Sequence, residues 1–351
     1  MKIKSLIVIL SVTLLSASCN IGGKNIVAGT VHTVNGGADW QFANAIVGSK
    51  SNINSLNVSK LSFDPHDRQE VFVGGYNGGL YKWDNNNSGW KEILSNILVY
   101  DFAISPVDSK TIYAAGLFNE HGRLLITKDG GSTWTQIFND ASQNNAVRSV
   151  VLNPTNPSQI VIGLGSGSVI KSADGGLSWQ LAKDFSDRVN RMVWQGNNLY
   201  VLLQSKGLLQ STDFATTFNL LSSTLGITGN TNDSTGSGSS GLTYNQFFVD
   251  TVSPSLIYIT TSQGLYKTID GGKMWSTIPL PTQNGDGQTR AVAIANNSSN
   301  LVFTSIGSTI YKSTDGGLTW QTQKVATNGI INYILIDPQL PQMAWAGIFG
   351  Q

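Results

Sequence analysis

The sequence predicts an all-β chain folded as a seven-bladed β-propeller whose closing blade is composite, and three observations carry this. The pattern Ser/Thr-x-Asp-Gly-Gly-x-Ser/Thr-Trp stands at Thr127 to Trp134, Ser172 to Trp179 and Ser313 to Trp320. Its acidic positions, Asp84, Asp129 and Asp174 and later Asp270 and Asp315, recur about 45 residues apart, the length of one four-stranded blade. The two ends of the chain each supply the half of a unit that the other lacks.

Taken in order, the first half unit offers outer strands around Val27 to Thr33 and Trp40 to Ala45, joined by a copy with Asn35 at the acidic position and Trp40 at its end. The copy from Trp83 to Trp90 keeps only Asp84 and Trp90. Full copies follow at Asp129 with Trp134 and Asp174 with Trp179. Asp213 then heads a copy that has lost its glycines and ends at Phe218. Asp270 with Trp275 carries Met274 at the hydroxyl position, and Asp315 with Trp320 completes the seven. Within a unit, a first strand such as Val150 to Leu152 leads through an Asn-Pro turn to a second at Gln159 to Gly163. A third at Ser168 to Lys171 enters the acidic turn, and the tryptophan opens the fourth. The C-terminal half unit supplies inner strands near Asn332 to Ile336 and Met343 to Ile348, closing the ring and removing its edges. The period stretches once, between Asp213 and Asp270, and the excess, residues 222–241, has the Ser, Thr, Gly and Asn content of a flexible loop.

Only 12% of the residues are charged, the formal net charge is +1, and there are 38 glycines and 9 tryptophans, which suits tight turns and argues against nucleic-acid binding. Residues 1–19 read as a secretory signal: Lys2 and Lys4, an apolar run from Leu6 to Leu15 too short to span a bilayer, then Ser16-Ala17-Ser18-Cys19. This end is similar to a bacterial lipobox, which implies lipidation at Cys19, the only cysteine, with residues 20–26 as a short tether and 27–351 as the propeller. An ordinary cleaved signal with an incidental thiol is the alternative. The expected location is outside the cytoplasm, anchored at the cell membrane or outer membrane on the periplasmic or extracellular side. Asn20 after the cysteine favours the outer membrane or outer surface where the cell has two membranes.

The repeats, from about Val27 to Gly350, resemble those of the Asp-box or bacterial-neuraminidase-repeat propellers, a superfamily of sialidases, xyloglucanases, sortilin-type receptors and photosystem II stability and assembly factors. The plan, one seven-bladed propeller on an exported anchor, is most similar to the last group. Asp64-Pro65 and Asn153-Pro154-Thr155-Asn156-Pro157 look like the xyloglucanase side, whose members pair two propellers. The resemblance implies a scaffold and leaves activity open.

The repeated carboxylates read as turn residues, accepting backbone N–H groups while the glycines supply positive φ and the tryptophans bury against neighbouring blades. Arginine placement is the asymmetric feature. Arg148, Arg188, Arg191 and Arg290 fall at the start of innermost strands, on the face of the disc that carries the blade crossovers, and Arg123 follows a second-to-third turn on that side. Such guanidiniums can hold a carboxylate or sulfate, and Asp101 joins them as a candidate partner-binding residue. No catalytic residue is assigned: the three glutamates make no recognisable partnership with Tyr100, Tyr244 or Tyr333, and the Phe/Tyr-Arg-Ile-Pro element of sialidases is missing. A glycosidase pair drawn from Asp101, Glu120, Asp140, Asp184 and Asp187 would need two carboxyl groups about 5 to 9 Å apart. His32, His66 and His121 lack metal-ligand spacing, so neither metal nor cofactor is expected. The reading is a monomeric, membrane-anchored, non-catalytic scaffold that binds a protein through its crossover face; the alternative is an extracellular glycan binder or glycoside hydrolase.

Overall fold

The computed structural model describes residues 28–350 apart from 224, 226–240, 283–287 and 296–297. The signal, Cys19, the tether and most of the 222–241 segment lie outside the described residues.

The strands form seven four-stranded sheets. β1 (Gly29–Thr33) and β2 (Gln41–Phe42) belong to the closing blade. The first complete blade is β3 (Val58–Phe63), β4 (Val71–Gly75), β5 (Gly78–Asp84) and β6 (Gly89–Leu94). The second is β7 (Leu98–Ser105), β8 (Asp108–Phe118), β9 (His121–Thr127) and β10 (Thr135–Gln143). The third is β11 (Val147–Leu152), β12 (Ile160–Leu164), β13 (Ser168–Ser172) and β14 (Gln180–Asp184). The fourth is β15 (Val189–Gln195), β16 (Asn198–Leu203), β17 (Gly207–Ser211) and β18 (Asn219–Leu220). The fifth is β19 (Tyr244–Val249), β20 (Ile257–Thr261), β21 (Gly264–Thr268) and β22 (Ser276–Ile278). The sixth is β23 (Thr289–Ala295), β24 (Ser298–Ile306), β25 (Thr309–Ser313) and β26 (Gln321–Lys324). β27 (Ile330–Ile336) and β28 (Ala344–Phe349) complete the seventh, in the order β2-β1-β28-β27.

Second strands such as Ile160–Leu164 are buried along their whole length because a blade is covered by a neighbour on each side, so they read as unbroken apolar runs. Fourth strands lie at the rim, and Gln321–Lys324 is exposed throughout. The outer strands of the closing blade are shorter than the sequence suggested. After Phe42 the chain leaves the sheet and packs Ala43, Ile53 and Leu56 against the first blade. Of the described residues in 222–241, Ser222 is buried and its Oγ accepts the Leu208 N–H at 3.0 Å, and Leu225 is buried in the cluster that holds Leu208.

The acidic turns are built alike. Asp129 Oδ1 accepts the N–H groups of Ser132 and Thr133, both at 2.9 Å, and the Thr127 hydroxyl, while Oδ2 accepts the Thr133 hydroxyl at 2.6 Å. Asp174, Asp213 and Asp315 repeat this pattern, Asp270 lacks the last bond because Met274 has no hydroxyl, and Asn35 holds the Asp39 N–H. Asp84 instead caps a tighter hairpin through Asn86 and Asn87. Each tryptophan then bolts its blade to the one before. The indole N–H of Trp90 donates to Ala43 O, Trp134 to Ile93 O, Trp179 to Ile137 O, Trp275 to Leu221 O and Trp320 to Pro279 O, at 2.6 to 3.0 Å. Trp40 packs edge-on against Phe303, its indole nitrogen unpaired.

Candidate functional site

The innermost strands start at the crossover face, and each starts irregularly. In all seven blades the pairing with the second strand shifts register after the first or second residue, as between Val58 and Lys60, Val147 and Ser149, and Ile331 and Tyr333. A bulge re-aims the side chain it carries. The bulged positions, Ser59, Tyr100, Arg148, Asn190, Asn245, Arg290 and Asn332, thus form a ring at one end of the central channel.

Three asparagines of that ring stitch blades together. Asn190 Nδ2 donates to Tyr244 O, Asn245 Nδ2 to Thr289 O and Asn332 Nδ2 to Val58 O, each reaching the next blade. One step deeper a second chain of bonds joins the first four blades. Lys60 Nζ donates to Asp101 Oδ1 at 2.6 Å, Ser149 Oγ and Val150 N donate to Asp101 Oδ2, and Met192 N donates to Ser149 Oγ. Sequence reasoning missed both sets, although the offset of Asn190, Asn245 and Asn332 from each strand start was there to be read.

Above them opens a cup of about 460 Å³. Its walls are divided. Arg148, Arg188 and Arg290, from the third, fourth and sixth blades, line one side. Tyr76, Tyr100 and Phe349, from the first, second and seventh, line the other, with Tyr76 edge-on to Tyr100 at 5.1 Å and to Phe349 at 5.9 Å. The Arg148 guanidinium lies 4.9 Å over the Tyr100 ring, a cation–π contact that orients it. Desolvation and the neighbouring Arg148 charge both hold Arg188 below the usual arginine value, and burial raises Tyr76. No carboxylate of a described residue comes within 4 Å of these three arginines; the ion pairs among the described residues are Lys60–Asp101, Arg68–Asp337 and Lys82–Glu70.

Three expected site residues do not line the cup. Arg123 is on a third strand, farther from the axis, and packs 4.9 Å over the Phe118 ring outside the cup. Asp101 is at the axis but buried, and Lys60, Phe102 N, Ser149 and Val150 N occupy both its oxygens, so it holds blades together and has no lone pair to offer a partner. Arg191 sits deeper than the other arginines. Its Nη2 donates to Tyr333 Oη at 2.9 Å, from the fourth blade to the seventh, a bar across the channel below the cup. Glu120, Asp140, Asp184 and Asp187 do not line the cup; Asp140 and Asp184 accept backbone N–H groups in turns of their own, and Asp187 accepts those of Ser205 and Lys206 in the turn between β16 and β17. No cluster of three metal-ligating side chains occurs among the described residues.

No protein-family model matches the chain, and no curated protein matches it. Solved structures do. The GH74 enzyme of Niastella koreensis superposes with a TM-score of 0.66 at 20% identity over 88% of this chain and 52% of its own. The GH74 xyloglucanase of Xanthomonas campestris gives 0.68 at 16%, over 89% and 52%. YCF48 bound to D1 peptide gives 0.61 at 17%, over 84% of this chain and 91% of its own. The chain is a seven-bladed β-propeller. It spans about half the length of the two GH74 structures and nearly the whole of YCF48. At these identities the likeness concerns the propeller alone.

Proposed function

We propose that this propeller is a non-catalytic binding or assembly module, exported and lipid-anchored through Cys19, that engages a protein partner with the cup on its crossover face. The observation that carries the reading is the set of three guanidiniums, Arg148, Arg188 and Arg290, gathered in one concavity with no carboxylate of a described residue within 4 Å. Arginines that no carboxylate of a described residue neutralises, in a partly desolvated hollow, suit an acidic or carboxylate-bearing group from outside. The similarity to YCF48, which is covered over 91% of its own length and is seen bound to D1 peptide, supports it. So does the point of departure of the N-terminal segment: Gly29 pairs with Ile348, next to the cup residue Phe349, so a tether would hold the cup toward the membrane.

The glycan reading has one observation in its favour, the aromatic wall of Tyr76, Tyr100 and Phe349, on which a sugar ring can stack. A crosslinking pull-down from host membranes compares wild type with the Arg148→Ala, Arg188→Ala, Arg290→Ala triple variant. A defined protein captured by the first and lost by the second is the expected result. Equal capture by a folded variant would sink the arginine cup as the contact face, and binding to uronate-bearing polysaccharides alone would favour the glycan reading.

A further inference from the structure

Below the cup lies a second, smaller chamber of about 80 Å³, whose walls include Lys60, Arg148, Arg191, Asp101, Asn332 and Tyr333. Three of these side chains are cationic and one is anionic. Asp101 is committed to Lys60 at 2.6 Å and to three further donors, which leaves the Arg148 and Arg191 guanidiniums uncompensated. Arg191 has the neutral Tyr333 hydroxyl for a partner. The Nε–H of Arg148 is buried with no acceptor, and Asn332 Oδ1 is buried with no donor. A confined excess of positive charge together with an unused N–H is costly unless something answers both.

We propose that this inner chamber is an oxyanion site, in which Arg148 and Arg191 bind one carboxylate, sulfate or phosphate group, with a water beside it donating to Asn332 Oδ1. The volume admits a single such group and excludes a sugar ring, so any larger ligand keeps its body in the cup and inserts one anionic tip. The tip is either a free inorganic ion or the terminal carboxylate of a chain. The proposal rests on reading the cup as the binding face, but it makes a narrower demand.

Its test is thermal unfolding of the folded chain, with sulfate, phosphate or acetate added at constant ionic strength. Wild type should show a saturating rise in melting temperature, weakened at least tenfold in apparent affinity by Arg191→Gln and by Arg148→Gln. Arg123→Gln, the same charge change outside the cup, should leave it intact. Selenate soaked into wild-type crystals gives a readout that needs no variant: an anomalous peak within hydrogen-bond reach of both arginines is expected. Short peptides with free and amidated C-termini then separate the two sources. A free terminus at least tenfold tighter identifies a chain end; equal, weak binding of both beside saturable sulfate identifies an inorganic ion. No saturable shift in wild type and no selenate peak would overturn the site, as would a shift undiminished in folded Arg191→Gln. The cup reading would survive that failure if the Arg188 and Arg290 substitutions still abolished partner capture.

Discussion

Asp174 is fully exposed, yet hydrogen bonds from Ser178 and Ser172 hold its carboxyl down to about 2, and Asp129, Asp213 and Asp315 are lowered further for the same reason. A carboxylate depressed in the folded state adds stability above its unfolded pKa near 3.9 and loses it as pH falls through the folded value. Asp174→Asn should therefore lower the melting temperature at pH 7 and make little difference at pH 2, which a pair of melting curves checks. His32 acts in a milder window. Burial lowers its pKa from 6.5, so protonation opposes folding, and stability should begin to fall as pH drops below about 6.5. That early slope should vanish in His32→Gln.

A second residue-scale prediction comes from the turn that lacks glycine. Phe214 and Ala215 both take φ of 56°, where Gly175 and Gly176 stand one blade earlier. A Cβ at Gly176 would lie 2.8 Å from Ile137 Cδ1, whereas Ala215 is buried in a cluster to which the preceding blade contributes the small Ala182. Ala182→Ile should destabilise by about 1–3 kcal/mol through overpacking, and Ala215→Gly should recover part of that loss in a double-mutant cycle read by denaturant unfolding. Lost glycines thus mark a changed neighbour and not a lost turn. The arginines of the cup were legible because strand starts can be located from the repeat. That Arg123 does not reach the cup and that Asp101 is already saturated could not be read, because radial distance and hydrogen-bond occupancy leave no trace in spacing, and Tyr76 and Phe349 were missed because turn and strand-end aromatics look ordinary.

At the scale of elements, the bulge that opens every innermost strand serves two purposes. It turns one residue per blade to the axis, and it frees that residue either to clamp the next blade or to face a ligand. Asn190, Asn245 and Asn332 are spent on clamps; Arg148 and Arg290 are left for the cup. Asn245→Ala removes the side-chain donor to the Thr289 carbonyl and should cost about 1–3 kcal/mol. Faster amide exchange in β23 than in β11 would locate the damage at that blade boundary. The repeat period and the buried second strands could be read directly from the chain. The bulge could not, since it inserts a residue without altering the apolar pattern around it.

For the whole molecule, closure depends on β1 pairing with β28 over five residue pairs and on an aromatic knot around Trp345, with Trp83, Trp90 and His32 each within 5.0 to 5.5 Å of it. The Arg68–Asp337 pair at 2.8 Å adds a link between the same two blades on the opposite face. Trp345→Ala should lower stability by about 3–5 kcal/mol, the range for deleting a buried aromatic side chain. A single cooperative melt at a lower temperature is expected. Early, separate melting of the seventh blade would mean instead that the ring tolerates an open joint.

This joint also sets an order of events in time. β1 is among the first segments of the propeller to leave a ribosome or a translocation pore, and its partner β28 is among the last. Six blades can form and stack before that, but β1 must wait with an unpaired edge for about 300 residues. The waiting strand is the most exposed to mispairing with another copy, so yield during synthesis should depend more on how promptly the last strand is delivered than on the stability of the finished ring.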